Sequence, residues 1–220
     1  MGDSVSISAA ILADLPVLGD FLYSSKLALS INRLLIKDWP NEENQRKNYS
    51  SSIETSLSDP TMECLKAVDN VSGNIVGFVV LENSSAEAEQ TSDDESTTKR
   101  TAPDWMDSDL FSEVMEGSAF LDQQSETFDH FSVIYIYVAP TSRRKGIGSK
   151  LLETCRDRAK TAGIPLVAVS EPASHPFFKS LAFEDGAHYE FDLTEYAMPY
   201  SGFGPFRLTR TIWSGDHLTR

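Results

Sequence analysis

Residues 131–163 read FSVIYIYVAPTSRRKGIGSKLLETCRDRAKTAG, and this stretch decides the fold. It opens on an apolar, β-rich run that Pro140 ends, since proline cannot donate to a strand ladder. Three cations and two glycines follow: Arg143, Arg144, Lys145, Gly146 and Gly148. Ile147, Leu151, Cys155 and Ala159 then recur every four residues, the spacing of a helix that packs one face on a sheet, and Gly163 stops it. Cations and glycines at a strand-to-helix junction suit a polyanion. Glycine lets the backbone approach, and the first N–H groups of a helix face a phosphate.

Three architectures use glycines in this way. The next strand, IPLVAVS, ends near Glu171, which superficially fits a dinucleotide-binding unit. However, the glycines come after the loop APTSRRK instead of directly after the strand, and the third glycine of G-x-G-x-x-G is Leu151. Roughly fifty residues remain after Glu171, too few for a doubly wound sheet. A P-loop requires G-x-x-x-x-G-K-[ST], which is absent. What remains is Arg143-x-x-Gly146-x-Gly148 after a strand ending Val138-Ala139-Pro140. With that pattern the chain resembles the GNAT superfamily of acyl-CoA-dependent N-acetyltransferases. FFKSLAF at 177–183 stands where that family shows F-Y-x-x-L-G-F, and the first strand with the Asp14-Leu15-Pro16 helix start is also similar. The resemblance covers most of the chain outside 83–128, and KDWPN at 37–41 resembles the family's fungal-type members.

The resemblance implies an α/β fold with a mixed, largely antiparallel sheet and helices on both faces. It implies one GNAT-like domain over 1–220, carrying an acidic, disordered-to-helical insertion at about 83–128. The co-substrate would be acetyl-coenzyme A, without a metal. Backbone groups of Ile136, Tyr137 and Val138 would pair with the pantetheine arm at a splay between two parallel strands, and the Val138 N–H would face the thioester carbonyl. Arg143, Arg144, Lys145, Gly146, Ile147, Gly148 and Ser149 would hold the phosphates. Phe178 occupies the place beside the sulfur where relatives often carry a tyrosine acid, and it cannot donate a proton. Ser132 stands where relatives place a carboxylate base. His130, two residues earlier and so on the same face of a regular strand, is the candidate base. His175 is a further candidate acid. The function implied is acetyl transfer to an amine, of a small molecule in preference to a protein. The alternative is a coenzyme A or ligand-binding protein without transfer, which Phe178 keeps open.

The rest of the chain fits this frame. VSISA and the stretch after it read as a strand and a helix that Asp14 caps, and 26–36 as a second helical stretch. MECLKAVDNVSGNIVGFVVLE is a hairpin turning at 70–74, and HYEFDL is a last strand before an aromatic, Gly/Pro-rich tail. Residues 83–104 read as a disordered loop, and Leu110, Phe111, Val114 and Met115 mark a surface helix after it. Net charge is −14, and 83–129 holds 13 acidic residues against Lys99 and Arg100, so the acidity is local. No broad basic face exists for nucleic acid, and no apolar run is long enough to span a membrane. Without a signal-like start the location is read as cytoplasmic. Cys64 and Cys155 have neither the number nor the spacing of a zinc site or a disulfide framework. Composition is silent on oligomeric state.

Overall fold

The computed structural model describes residues 4–85, 101–123 and 128–215. Seven strands form one sheet: β1 (Val5–Ala9), β2 (Met62–Asp69), β3 (Ile75–Ser84), β4 (His130–Val138), β5 (Leu166–Ser170), β6 (Glu184–Asp192) and β7 (Pro205–Trp213). Their spatial order is β1-β2-β3-β4-β5-β7-β6. Every neighbouring pair is antiparallel except β4 and β5. A parallel pair needs a long crossover. Helix α5 (Ile147–Ala162) supplies it and ends at Gly163, whose φ of 71° is left-handed. The β2–β3 hairpin closes on Asp69, whose carboxylate accepts the Val71 and Ser72 N–H groups at 3.0 and 2.8 Å.

Helices cover both faces. The remaining ones are α1 (Leu15–Leu27), the single turn α2 (Asn32–Leu35), α3 (Glu42–Ser58), α4 (Ser108–Gln123) and α6 (His175–Ser180). On one face α5 and α6 bury Leu151, Leu152, Cys155, Ala159 and Phe178 against Val79, Val133 and Ala168. On the other, Leu18 and Leu22 of α1 and Tyr49 and Ile53 of α3 meet Phe78, Val80 and Tyr137. A third cluster joins Leu110 and Leu121 of α4 to Phe191, Phe206 and Leu208 of β6 and β7. Both cysteines are buried free thiols, and burial pushes Cys64 up to about 11 and Cys155 up to about 12.

Four sequence readings need correction or completion. HYEFDL is not the last strand: β7 lies inside the expected tail and inserts between β5 and β6. Buried Thr209, Arg210 and Thr211 break its apolar run, which hid it. The second helical stretch is α1 continued to Leu27, a break, and the one turn of α2. Asp14 does not cap α1 through its side chain; its carboxylate accepts the Ile11 N–H at 2.8 Å and pairs with Lys66 at 2.6 Å. Finally, β3 runs on to Ser84, inside the span assigned to the insertion, while most of the expected disordered loop lies outside the described residues.

Candidate functional site

The site begins with an irregularity in β4. Against β3, Val80 pairs with Tyr135 but Leu81 pairs with Val133, so Ile134 is an extra residue, a bulge. Its effect on the faces is plain. Phe131 and Val133 pack towards α5, yet Tyr135 and Tyr137, also odd-numbered, pack towards α1 and α3. Against β5, the ladder holds only for Phe131, Ser132 and Val133. Beyond Val133 the parallel strands part, and a gap opens along the last residues of β4. The backbone directions in that gap follow from one bond. Ala139 N–H donates to the Val76 carbonyl at 2.9 Å, so by antiparallel alternation Tyr137 faces its partner Phe78 while Ile136 and Val138 turn their N–H and C=O groups to the open side. Arg143 Nε donates to the Val138 carbonyl at 3.0 Å from that side. The expected set Ile136, Tyr137 and Val138 therefore reduces to Ile136 and Val138 for backbone pairing.

The loop after β4 meets the gap at the start of α5. Arg144 and Gly146 take left-handed φ values of 63° and 78°. The first intrahelical bond of α5 runs from Lys150 N–H to the Gly146 carbonyl at 3.0 Å, so the Ile147, Gly148 and Ser149 N–H groups precede it and have no partner within the helix. Those donors, the positive end of the helix and the exposed Arg144 and Lys145 fit a phosphate group. A Cβ on Gly148 would lie 3.1 Å from the Phe177 ring and 3.7 Å from Val138, which ties the helix start to the end of β4 and to α6. Arg143 is turned differently, its guanidinium 5.6 Å from the centre of the Tyr137 ring.

Not every predicted residue joins this group. Phe178 lies in the core, 3% exposed and edge-on to Phe177 and Phe183 at 5.5 and 5.3 Å; Phe177 is the ring against the helix start. His130 is buried at the far end of β4, its Nδ1 2.9 Å from the Phe128 carbonyl. It lies eight positions along the strand from Val138, about 25 Å, and Ser132 lies six, about 20 Å. His175 is engaged at both nitrogens: Nδ1 lies 3.0 Å from Ser170 Oγ and Nε2 3.6 Å from Asp185. Sequence reading missed a group on the α1 and α3 side. Lys26 pairs with Glu171 at 3.6 Å. Burial raises the Tyr49 phenol pKa, and the Tyr135 and Glu171 charges raise it further. The signal available was Tyr49 with Ile53 and Leu57 at four-residue spacing in an otherwise polar helix. Among the described residues no cluster of His, Cys, Asp and Glu could hold a metal ion.

The acetyltransferase (GNAT) family model matches residues 28–183. Among solved structures, the chain is similar to a histone acetyltransferase HPA2 and related acetyltransferase from Corynebacterium glutamicum, at 16% identity and TM-score 0.58, covering 94% of this chain and 96% of that one. It is also similar to a putative arylalkylamine N-acetyltransferase of the yellow fever mosquito (13%, TM-score 0.66, 95% and 86% covered). A Drosophila melanogaster polyamine N-acetyltransferase matches at 13% with TM-score 0.60, over 95% and 99%. At such identities the likenesses show the fold alone. No curated protein sequence matches.

Proposed function

The chain belongs to the acetyltransferase (GNAT) family, and from that premise we propose that it transfers an acetyl group from acetyl-coenzyme A to an amine, of a small molecule in preference to a protein. The observation that carries the reading is the junction of the β4 gap with the α5 start. Outward-turned backbone groups of Ile136 and Val138 lead into a left-handed loop and a helix start whose N–H groups suit an anion. In this reading Gly146, Ile147, Gly148 and Ser149 take the pyrophosphate through the backbone, and Arg144 and Lys145 add charge. Ile136 and Val138 hold the pantetheine arm like a missing strand. The Val138 N–H donates to the thioester oxygen, where one preorganised donor contributes about 3 kcal/mol.

The balance of the reaction is simple. The amine arrives as an ammonium and gives up a proton. Its nitrogen forms a bond to the carbonyl carbon, the carbon–sulfur bond breaks, and the thiolate takes up a proton. A thiol with an ordinary pKa near 8.5 leaves without much help, so the absence of a tyrosine at Phe178 is compatible with turnover. A second reading has one observation in its favour: the sequence position of the family's acid holds Phe178, an apolar ring turned into the core, so that position offers no proton to a leaving thiolate, which fits a protein that binds coenzyme A without transferring its acyl group. Incubation with acetyl-coenzyme A and an amine panel, following free thiol, separates the two, with calorimetry of coenzyme A in parallel. Thiol release that depends on amine supports transfer. Binding with no release on any acceptor supports the second reading.

A further inference from the structure

Between the α1–α2 connection and the segment that joins β6 to β7 lies a cavity of about 460 Å³, within the range of small-molecule sites. Its walls include Leu29, Leu193, Phe203 and Phe206, with Arg33 and Glu171 as the charged side chains among the lining residues. Glu171 is the residue after Ser170, the last of β5, so it stands where β4 and β5 have parted. Its ion pair with Lys26 of α1 puts the carboxylate on the face opposite α5. Glu171 therefore belongs both to the cavity and to the mouth of the gap.

We propose that Glu171 and Arg33 set the charge pattern of the acceptor, so that the cavity takes a monoamine with an apolar body and refuses a second, distal cation. This rests on the acetyltransferase reading for its reaction, though not for its binding test. An ammonium placed at Glu171 shares a carboxylate that has lone pairs for several donors, while the ion pair with Lys26 orients that carboxylate. The body of the amine then lies along Leu29, Leu193 and the phenylalanine rings, where apolar surface leaves water. A diamine meets no second acid among the lining residues, and Arg33 repels its far end.

The probes are 2-phenylethylamine and 1,4-diaminobutane, titrated calorimetrically into the protein with and without coenzyme A. The native chain is expected to bind the aromatic amine at least about tenfold tighter than the diamine. Glu171→Gln loses about tenfold or more in affinity for the aromatic amine at unchanged coenzyme A affinity, as a charged hydrogen bond is removed. Arg33→Glu brings the diamine up about tenfold by adding the missing acid. Unchanged amine affinity in Glu171→Gln overturns the proposal, as does a native preference for the diamine. Failure of coenzyme A to bind overturns the acetyltransferase reading instead, and the amine titrations alone still decide on Glu171.

Discussion

Gly146 holds φ at 78°, a value that a β-branched residue reaches only under strain, and no atom stands within 4 Å of a Cβ built there. Space is therefore not the constraint; backbone conformation and access to the helix N–H groups are. Gly146→Val is expected to weaken coenzyme A binding at least about tenfold while the far-ultraviolet dichroism stays native, because the helix persists and only its entrance changes. Unchanged affinity in the folded variant refutes the phosphate assignment. Phe178 poses the opposite case. The sequence marks it as a lost acid, whereas the structure packs it between Phe177 and Phe183 inside the α5 and α6 core. A hydroxyl added there lacks a polar partner, so Phe178→Tyr is expected to lower stability by about 1–3 kcal/mol in urea unfolding. If thiol release occurs, this variant does not raise kcat. A higher kcat at unchanged stability would show that the ring reaches the sulfur after all.

At the scale of elements, regular alternation along β4 puts His130 and Ser132 on the side of Ile136 and Val138. The bulge at Ile134 reverses this. Val133 and Ile136 share a face, and Tyr135 and Tyr137 turn to α1 and α3. Period-2 reading cannot detect a single inserted residue in a run where both faces are apolar, since FSVIYIYV fits either phase. Ile134 is 37% exposed, so Ile134→Ala is expected to cost less than about 1 kcal/mol. Deletion of Ile134 instead forces one half of β4 to present its core side chains to the wrong face. No cooperative thermal transition is expected from that variant; a native-like melting curve would show that the bulge is dispensable. Gly77 adds a second test of the same element, because a Cβ there would lie 2.7 Å from the Tyr137 carbonyl oxygen, backbone against backbone. Gly77→Ala is expected to destabilise by about 1–3 kcal/mol and to weaken coenzyme A binding by moving the end of β4.

At the scale of the whole molecule, the described residues 101–123 of the acidic stretch before β4 are structural: Met106 is buried, Lys37 N–H donates to the Trp105 carbonyl at 3.0 Å, and Leu110 and Leu121 of α4 are fully buried against β6 and β7. Removing 101–123 is expected to abolish cooperative unfolding by uncovering Phe191, Phe206 and Leu208, which thermal denaturation would reveal. Acid stability is also a property of the whole. Burial raises the Asp14 carboxyl, but the Lys66 ammonium and the Ile11 N–H outweigh it, and the net pKa falls below 3.8. Asp59 is lowered by the Thr61 hydroxyl and then its N–H, and Asp69 and Asp192 are lowered chiefly by backbone N–H donors in their turns. Groups with lowered folded pKa contribute stability above their unfolded values, and this is lost as pH falls through the folded ones. The urea midpoint should therefore hold from pH 7 to about 5 and decline below 4, less steeply in Asp14→Asn. The sequence by itself determined the strand–loop–helix unit, the hairpin, the left-handed glycine stop and the family, because these depend on local spacing and backbone chemistry. Only the tertiary structure decided the place of β7, the phase of β4, the burial of Phe178 and the pairing of Glu171 with Lys26, because each rests on packing between residues far apart in the chain.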